Sequence, residues 1–167
     1  MKHLLMAASA FALIATASIS DADAGNRSSA QQYGYYNGHA SAQKGKRNES
    51  VTYQRGRRNE ARTVQQGRRN SANTTQHGRF NEALTDQLGR YNFAVTGQSG
   101  RRNQASTVQT GSGNVSGTAQ IGSGLTSTTN QSGHDNASGT IQAGHGHDAD
   151  TRQRGTGNIS LTIQSNR

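Results

Sequence analysis

Residues along most of this chain alternate between constant and variable positions, and the pattern resets every eleven residues. Between Asn70 and Gln76 the constant positions are Asn70, Ala72, Thr74 and Gln76, and the same residue types recur at Asn81, Ala83, Thr85 and Gln87. Seven alternating residues with one specified face predict a β-strand. The four residues that follow, such as His77 to Phe80, hold an invariant glycine where a turn would need positive φ or a close backbone approach. Each unit therefore reads as strand plus turn, with the motif Q-x-G-x-x-N-x-A/S-x-T-x.

The phase does not slip. Glutamine recurs at Gln32, Gln43, Gln54, Gln65, Gln76, Gln87, Gln98, Gln109, Gln120, Gln131, Gln142, Gln153 and Gln164. Glycine follows two positions later at Gly34, Gly45, Gly56, Gly67, Gly78, Gly89, Gly100, Gly111, Gly122, Gly133, Gly144 and Gly155. Asparagine stands five positions after glutamine at Asn37, Asn48, Asn59, Asn70, Asn81, Asn92, Asn103, Asn114, Asn136 and Asn158, with Leu125 and His147 as the exceptions.

Reach decides how units combine. A seven-residue strand spans about 20 Å and a four-residue turn at most about 14 Å, so one unit cannot close a coil. Two units can. The expected fold is all-β: a parallel β-solenoid with two facing sheets, strand–turn–strand, about 22 residues per rung, rising about 4.8 Å each time. An eleven-residue helical repeat is excluded by a glycine in every unit and by the lack of an apolar stripe. An antiparallel meander fits the alternation almost as well, but only a solenoid puts Gln over Gln and Asn over Asn, where amides form continuous ladders.

Composition sharpens this. Leu, Ile, Val and Phe number only 21 of 167 residues, the formal charge is +9, and hydrophobic residues make up 29%. Such values usually mark disorder and exclude an ordinary globular enzyme with a large apolar core. The chain also has no proline and no cysteine, which removes disulfides, thiolate metal sites and catalytic cysteines. A core of stacked amides, with Thr–Thr neighbours satisfying each other along the stack, reconciles polarity with order. The terminal rungs of such a stack present unpaired backbone and open ladders, and no proline blunts the last unit, Gln153 to Gln164. Self-templated axial growth into cross-β fibres is the expected consequence.

Residues 1–24 are expected to be a signal peptide. Lys2 and His3 precede the apolar run Leu4 to Ile14, and Ala22-Asp23-Ala24 offers a cleavage site before Gly25. The run is too short to span a bilayer as a mature helix.

The unit Q-x-G-x-x-N-x-A, with the next Gln eleven residues on, resembles the curlin repeat of bacterial curli subunits. The residues that carry the resemblance are Gln54, Gly56, Asn59, Ala61 and Gln65, and again Gln76, Gly78, Asn81, Ala83 and Gln87. It covers residues 32 to 164. The resemblance implies a secreted functional amyloid, exported through an outer-membrane curli channel and polymerised at the cell surface with other curlin subunits, as a pilus-like fibre serving adhesion and biofilm. It also implies an export-targeting segment over residues 25–42, combined with a degenerate first repeat, and a repeat domain over 43–167. Familiar curlin repeats have two unlike halves, whereas both halves here carry the same signature.

The expected assembly residues are the stacking positions from Gln54 and Asn59 to Asn158 and Gln164, with the glycines Gly45 to Gly155 in the turns. Lys46, Arg57, Arg68, Arg79, Arg90 and Arg101 occupy one turn slot in successive units and form basic columns, whereas Gln109 to Thr151 contains no Lys or Arg. Such columns gate premature aggregation, or they form an anion-binding rail for extracellular DNA, lipopolysaccharide or acidic polysaccharide. The lightly charged C-terminal half is expected to carry most of the fibre-forming drive. His134, His145 and His147 with Asp148 and Asp150 read as exposed turn residues rather than a metal site, since no ligand set recurs. No cofactor, metal or catalytic group is expected. The competing class is a monomeric secreted solenoid that binds ice, polysaccharide or nucleic acid. For ice, paired Thr on one outward face would be needed, and here one Thr per unit shares the constant face with Asn and Gln.

Overall fold

The computed structural model describes residues 25–166, so the expected leader over residues 1–24 lies outside the described residues. Thirteen strands follow one another without a helix: β1 (Arg27–Tyr35), β2 (Gly38–Lys46), β3 (Glu49–Arg57), β4 (Glu60–Arg68), β5 (Ser71–Arg79), β6 (Glu82–Arg90), β7 (Phe93–Arg101), β8 (Gln104–Ser112), β9 (Val115–Ser123), β10 (Thr126–His134), β11 (Ala137–His145), β12 (Asp148–Thr156) and β13 (Ile159–Ser165). The odd strands form a seven-stranded sheet and the even strands a six-stranded one. All pairs are parallel and in register at a spacing of 22 residues, as in Glu49↔Ser71 and Glu60↔Glu82. The parallel solenoid of two facing sheets is therefore the fold, and the antiparallel meander is not.

The strands are longer than the alternation predicts. They begin one residue after each Asn and run through the glycine into the basic residue, leaving two-residue corners such as Arg58-Asn59. The glycines consequently sit inside the strand ends, not in the turns, where they pair with one another as in Gly56↔Gly78. Two conditions exclude a side chain there. Gly56 has φ +128°, and a Cβ on it would lie 1.9 Å from the Gly78 carbonyl oxygen.

Each corner then needs a left-handed residue. Tyr36, Arg47, Arg58, Arg69, Phe80, Tyr91 and Arg102 take φ of 53–58°, and further along the slot is filled by Gly113, Gly124, Asp135, Gly146 and Gly157. A bulky residue in this region costs about 1–2 kcal/mol. Corner hydrogen bonds between rungs offset part of it, as Arg58 N donates to Tyr35 O at 3.0 Å.

The core is thin. Ala61, Ala72, Ala83, Ala94 and Ala105 are buried beside Thr63, Thr74, Thr85, Thr96 and Thr107, and Leu125 is the large apolar side chain enclosed with them. Hydroxyls do not ladder as expected. Thr52, Thr129 and Thr140, with Ser50, Ser116, Ser127 and Ser138, bury side-chain oxygens that have no hydrogen-bond partner. Short side chains in the same rotamer keep their oxygens one strand spacing apart, about 4.8 Å, which is beyond hydrogen-bond reach. A glutamine amide is long enough to tilt toward its neighbour.

Candidate assembly surfaces

Glutamine forms two continuous ladders through the core. In the seven-stranded sheet, Gln32, Gln54, Gln76, Gln98, Gln120 and Gln142 each donate from Nε2 to Oε1 of the glutamine 22 residues on, ending at Gln164, over 2.6–2.9 Å. In the six-stranded sheet Gln43, Gln65, Gln87, Gln109 and Gln131 do the same over 2.7–2.9 Å, ending at Gln153. From Gln43 on, the second N–H of each amide donates to the backbone oxygen sixteen residues earlier, for example Gln54 to Gly38 and Gln65 to Glu49, both at 2.9 Å. That backbone bond fixes the orientation of every amide, because a carbonyl accepts only from the nitrogen side. With Gln54, Gln65, Gln76, Gln87 and Gln109 buried, each interior amide is satisfied.

Asparagine works differently. Its Oδ1 accepts the backbone N–H of the next Asn, as Asn92 N to Asn70 at 3.1 Å, and its Nδ2 donates to the glycine carbonyl of the next rung, as Asn70 to Gly89 at 3.1 Å. Asn–Asn amide bonds supplement this at Asn81 to Asn59 and Asn114 to Asn92, at 3.1 and 3.2 Å. The column thus stitches corner to strand end, with glycine as its obligate partner. One corner column runs unbroken through Asn48, Asn70, Asn92, Asn114, Asn136 and Asn158. The other, through Asn59, Asn81 and Asn103, stops at Leu125, whose N–H still bonds Asn103 Oδ1 at 3.2 Å, and at His147, whose Nε2 is buried without a partner.

Both ends of the ladders are open. Gln164 Nε2 gives one proton to Asp148 O at 2.9 Å, and Gln153 gives one to Ala137 O at 2.9 Å; in each case the second proton faces outward along the stack. At the other end Gln32 and Gln43 donate inward, and their Oε1 atoms accept no bond among the described residues. One corner of the final rung is partly covered. Asn166 stands where the repeat would place glycine, accepts His145 N–H at 3.0 Å and donates to His145 O at 3.1 Å. The sequence pattern carries that signal as a broken glycine column.

The basic residues divide between the two edges of the stack. Arg57, Arg79 and Arg101 close one edge and are continued by Ser123 and His145, whereas Lys46, Arg68 and Arg90 close the other, continued by Ser112 and His134. Gly78, Arg79, Gly100, Arg101, Gly122, Ser123 and His145 line a shallow groove of about 380 Å³. Aromatic residues alternate with the adjacent arginines. Arg58 lies 5.7 Å from the Tyr36 ring and 5.5 Å from the Phe80 ring, and Arg69 lies 5.4 Å from Tyr91 and bonds its hydroxyl. Cation–π contact separates like charges that would otherwise stack directly.

The histidines are not gathered. His134 Nδ1 meets Ser112 Oγ and His145 Nδ1 meets Ser123 Oγ, each at 2.7 Å on opposite edges, and among the described residues no group of three or more His, Asp or Glu is placed to hold a metal. Sequence reasoning missed the outer face of the seven-stranded sheet. Phe93, Val95, Val115, Ile121, Ile141, Ile159, Leu161 and Ile163 are all exposed there, and between them and the strand-end Arg101 and His145 the outward positions of β7, β9, β11 and β13 are Ala, Gly and Ser. The signal was present in the variable positions of alternate units.

Residues 67–100 match the family model of the curlin associated repeat, from one glycine of the column to another, and the match supports assignment to the curlin family. No curated protein is matched by the chain.

Proposed function

From the curlin repeat that this chain carries, we propose that it is a structural subunit of extracellular curli-type amyloid fibres rather than an enzyme. The observation that carries this reading is the pair of open glutamine ladders, donors at one end and acceptors at the other, on a stack whose every interior strand is paired in register. Axial addition of another copy or another curlin subunit satisfies those groups and the unpaired strand edges together. Residues 1–24 would deliver the chain to export, residues 25–42 to the outer-membrane curli channel, and the fibre would serve adhesion and biofilm at the cell surface. The basicity of the first half favours a minor, nucleating role, with Arg57, Arg79 and Arg101 attaching the subunit to anionic surface polymers such as lipopolysaccharide, DNA or acidic polysaccharide.

Incubating the purified chain while following thioflavin fluorescence and fibre diffraction tests this. Growth with meridional spacing near ~4.8 Å is expected. A chain that stays folded and monomeric overturns the fibre reading in favour of a secreted binding module.

A further inference from the structure

We propose that successive copies join head to tail with a half turn about the stacking axis, so that β1 of the incoming copy docks on β12 and its β2 on β13. The proposal rests on the fibre reading above and names the geometry of its self-partner.

Parity is the first argument. Every unit makes the same bonds in either sheet, since the sixteen-residue reach of glutamine to backbone recurs from odd and from even strands alike. Adjacent units are therefore related by a half turn and half a rung. The repeat fills thirteen strands among the described residues, and its slots fail at both ends. Asp21 and Asp23 stand where Gln and Gly would precede Gln32, and Asn166 stands in the last glycine slot. With an odd number of strands, β13 projects half a rung beyond β12 and β1 projects half a rung beyond β2. The steps fit only when the second copy is turned. Without the turn, β1 would lie on β13 and leave the nine-residue edge of β12 unpaired.

Polarity is the second. Gln153 and Gln164 present amide protons, and Gln32 and Gln43 present carbonyl oxygens. Joining like ends would set donor against donor. In the half-turn arrangement Gln153 meets Gln32, Gln164 meets Gln43, and Asn158 Oδ1 faces the backbone N–H of Asn37, extending the unbroken asparagine column.

Surface chemistry agrees. Continuing the observed register places Arg27 beside Asp148 and Tyr33 beside Arg154, with Ala40 and Ala42 beside Leu161 and Ile163. Opposite charges and apolar pairs thus face each other across the junction. The unturned alternative sets Arg27 on Ile159, Ser29 on Leu161 and Gln31 on Ile163.

Cross-linking decides between them, and the chain has no native cysteine to interfere. In one variant Gln31→Cys is combined with Arg152→Cys, in another with Ile163→Cys, all at outward-facing positions. Neighbouring in-register strands hold Cα atoms about 4.8 Å apart, within disulfide range. Mild oxidation of assembled fibres should convert most of the first variant into covalent ladders in non-reducing gels and leave the second monomeric. Ladders in the second variant, or in neither while fibres form, overturn the half turn. Helical symmetry of the unsubstituted fibre gives the same decision without any variant. A rotation near 180° with a rise of about 31 Å, six and a half rungs, is expected, and a rotation near zero overturns it. A chain that forms no fibre at all rejects the fibre reading itself.

Discussion

Gln76 donates from Nε2 to Oε1 of Gln98 at 2.8 Å and accepts at its own Oε1 from Gln54 at 2.7 Å, with all three side chains buried. A single amide therefore closes bonds in two directions and, through Glu60 O at 2.8 Å, ties one sheet to the other.

Replacing it should be costly despite the residue's polarity. Gln76→Ala leaves the Gln54 donor and the Gln98 acceptor buried without partners, and each orphan costs about 1–3 kcal/mol. A loss of roughly 3 kcal/mol or more is expected in chemical denaturation, with loss of amide exchange protection centred on β3, β5 and β7. A change below about 0.5 kcal/mol would show that the ladder is decorative.

Gly78→Ala should be worse. The new Cβ would stand 1.9 Å from Gly100 O at a φ of +112°, and both partners are backbone, so neither can yield cheaply. Separation of the rung at that corner is expected, with a cost at the large end of single substitutions, about 4 kcal/mol. Circular dichroism and denaturant midpoints read it directly.

Asn166→Gly should speed axial growth. It restores the glycine slot, removes the side chain that occupies His145 N–H and C=O, and frees that corner for an incoming strand. A shorter thioflavin lag with unchanged stability of the interior rungs is the expected result.

His39 provides a pH dependence. It sits in the Ala/Ser slot of β2, the end strand of its sheet among the described residues, its Nδ1 is buried without a partner, and burial lowers its pKa below the usual 6.5. Its register partner, Ala61, carries no charge. The folded state disfavours the protonated ring, so this stability is present above pH 6.5 and is lost as pH falls through the lowered folded value. His39→Ser should flatten the loss of first-rung exchange protection between neutral and mildly acidic pH.

The two halves should differ in assembly. Residues 109–167 carry the exposed Ile121, Ile141, Ile159, Leu161 and Ile163 on one face, whereas residues 25–108 carry the basic columns. The C-terminal fragment is expected to fibrillise faster; the reverse order would reject the assignment of drive to that half.

Much of this protein was determined by sequence alone. Eleven-residue phase and two-residue alternation dictate paired β units, because no other backbone geometry repeats a single face at that spacing, and Gln over Gln follows from register. The glycine requirement was legible at Gly56, although not its cause, which is the carbonyl of Gly78 rather than a turn. Tertiary structure alone decided what depends on distance and direction across rungs. It set the strand ends, because pairing continues through glycine once two glycines face each other. It left Thr52 and Thr140 without partners, because short hydroxyls cannot cross a strand spacing. It also set the direction of the glutamine ladders, because the backbone oxygen sixteen residues earlier takes one proton of an interior amide, as Gly38 O does from Gln54, and leaves the other for the next rung, as Gln54 to Gln76.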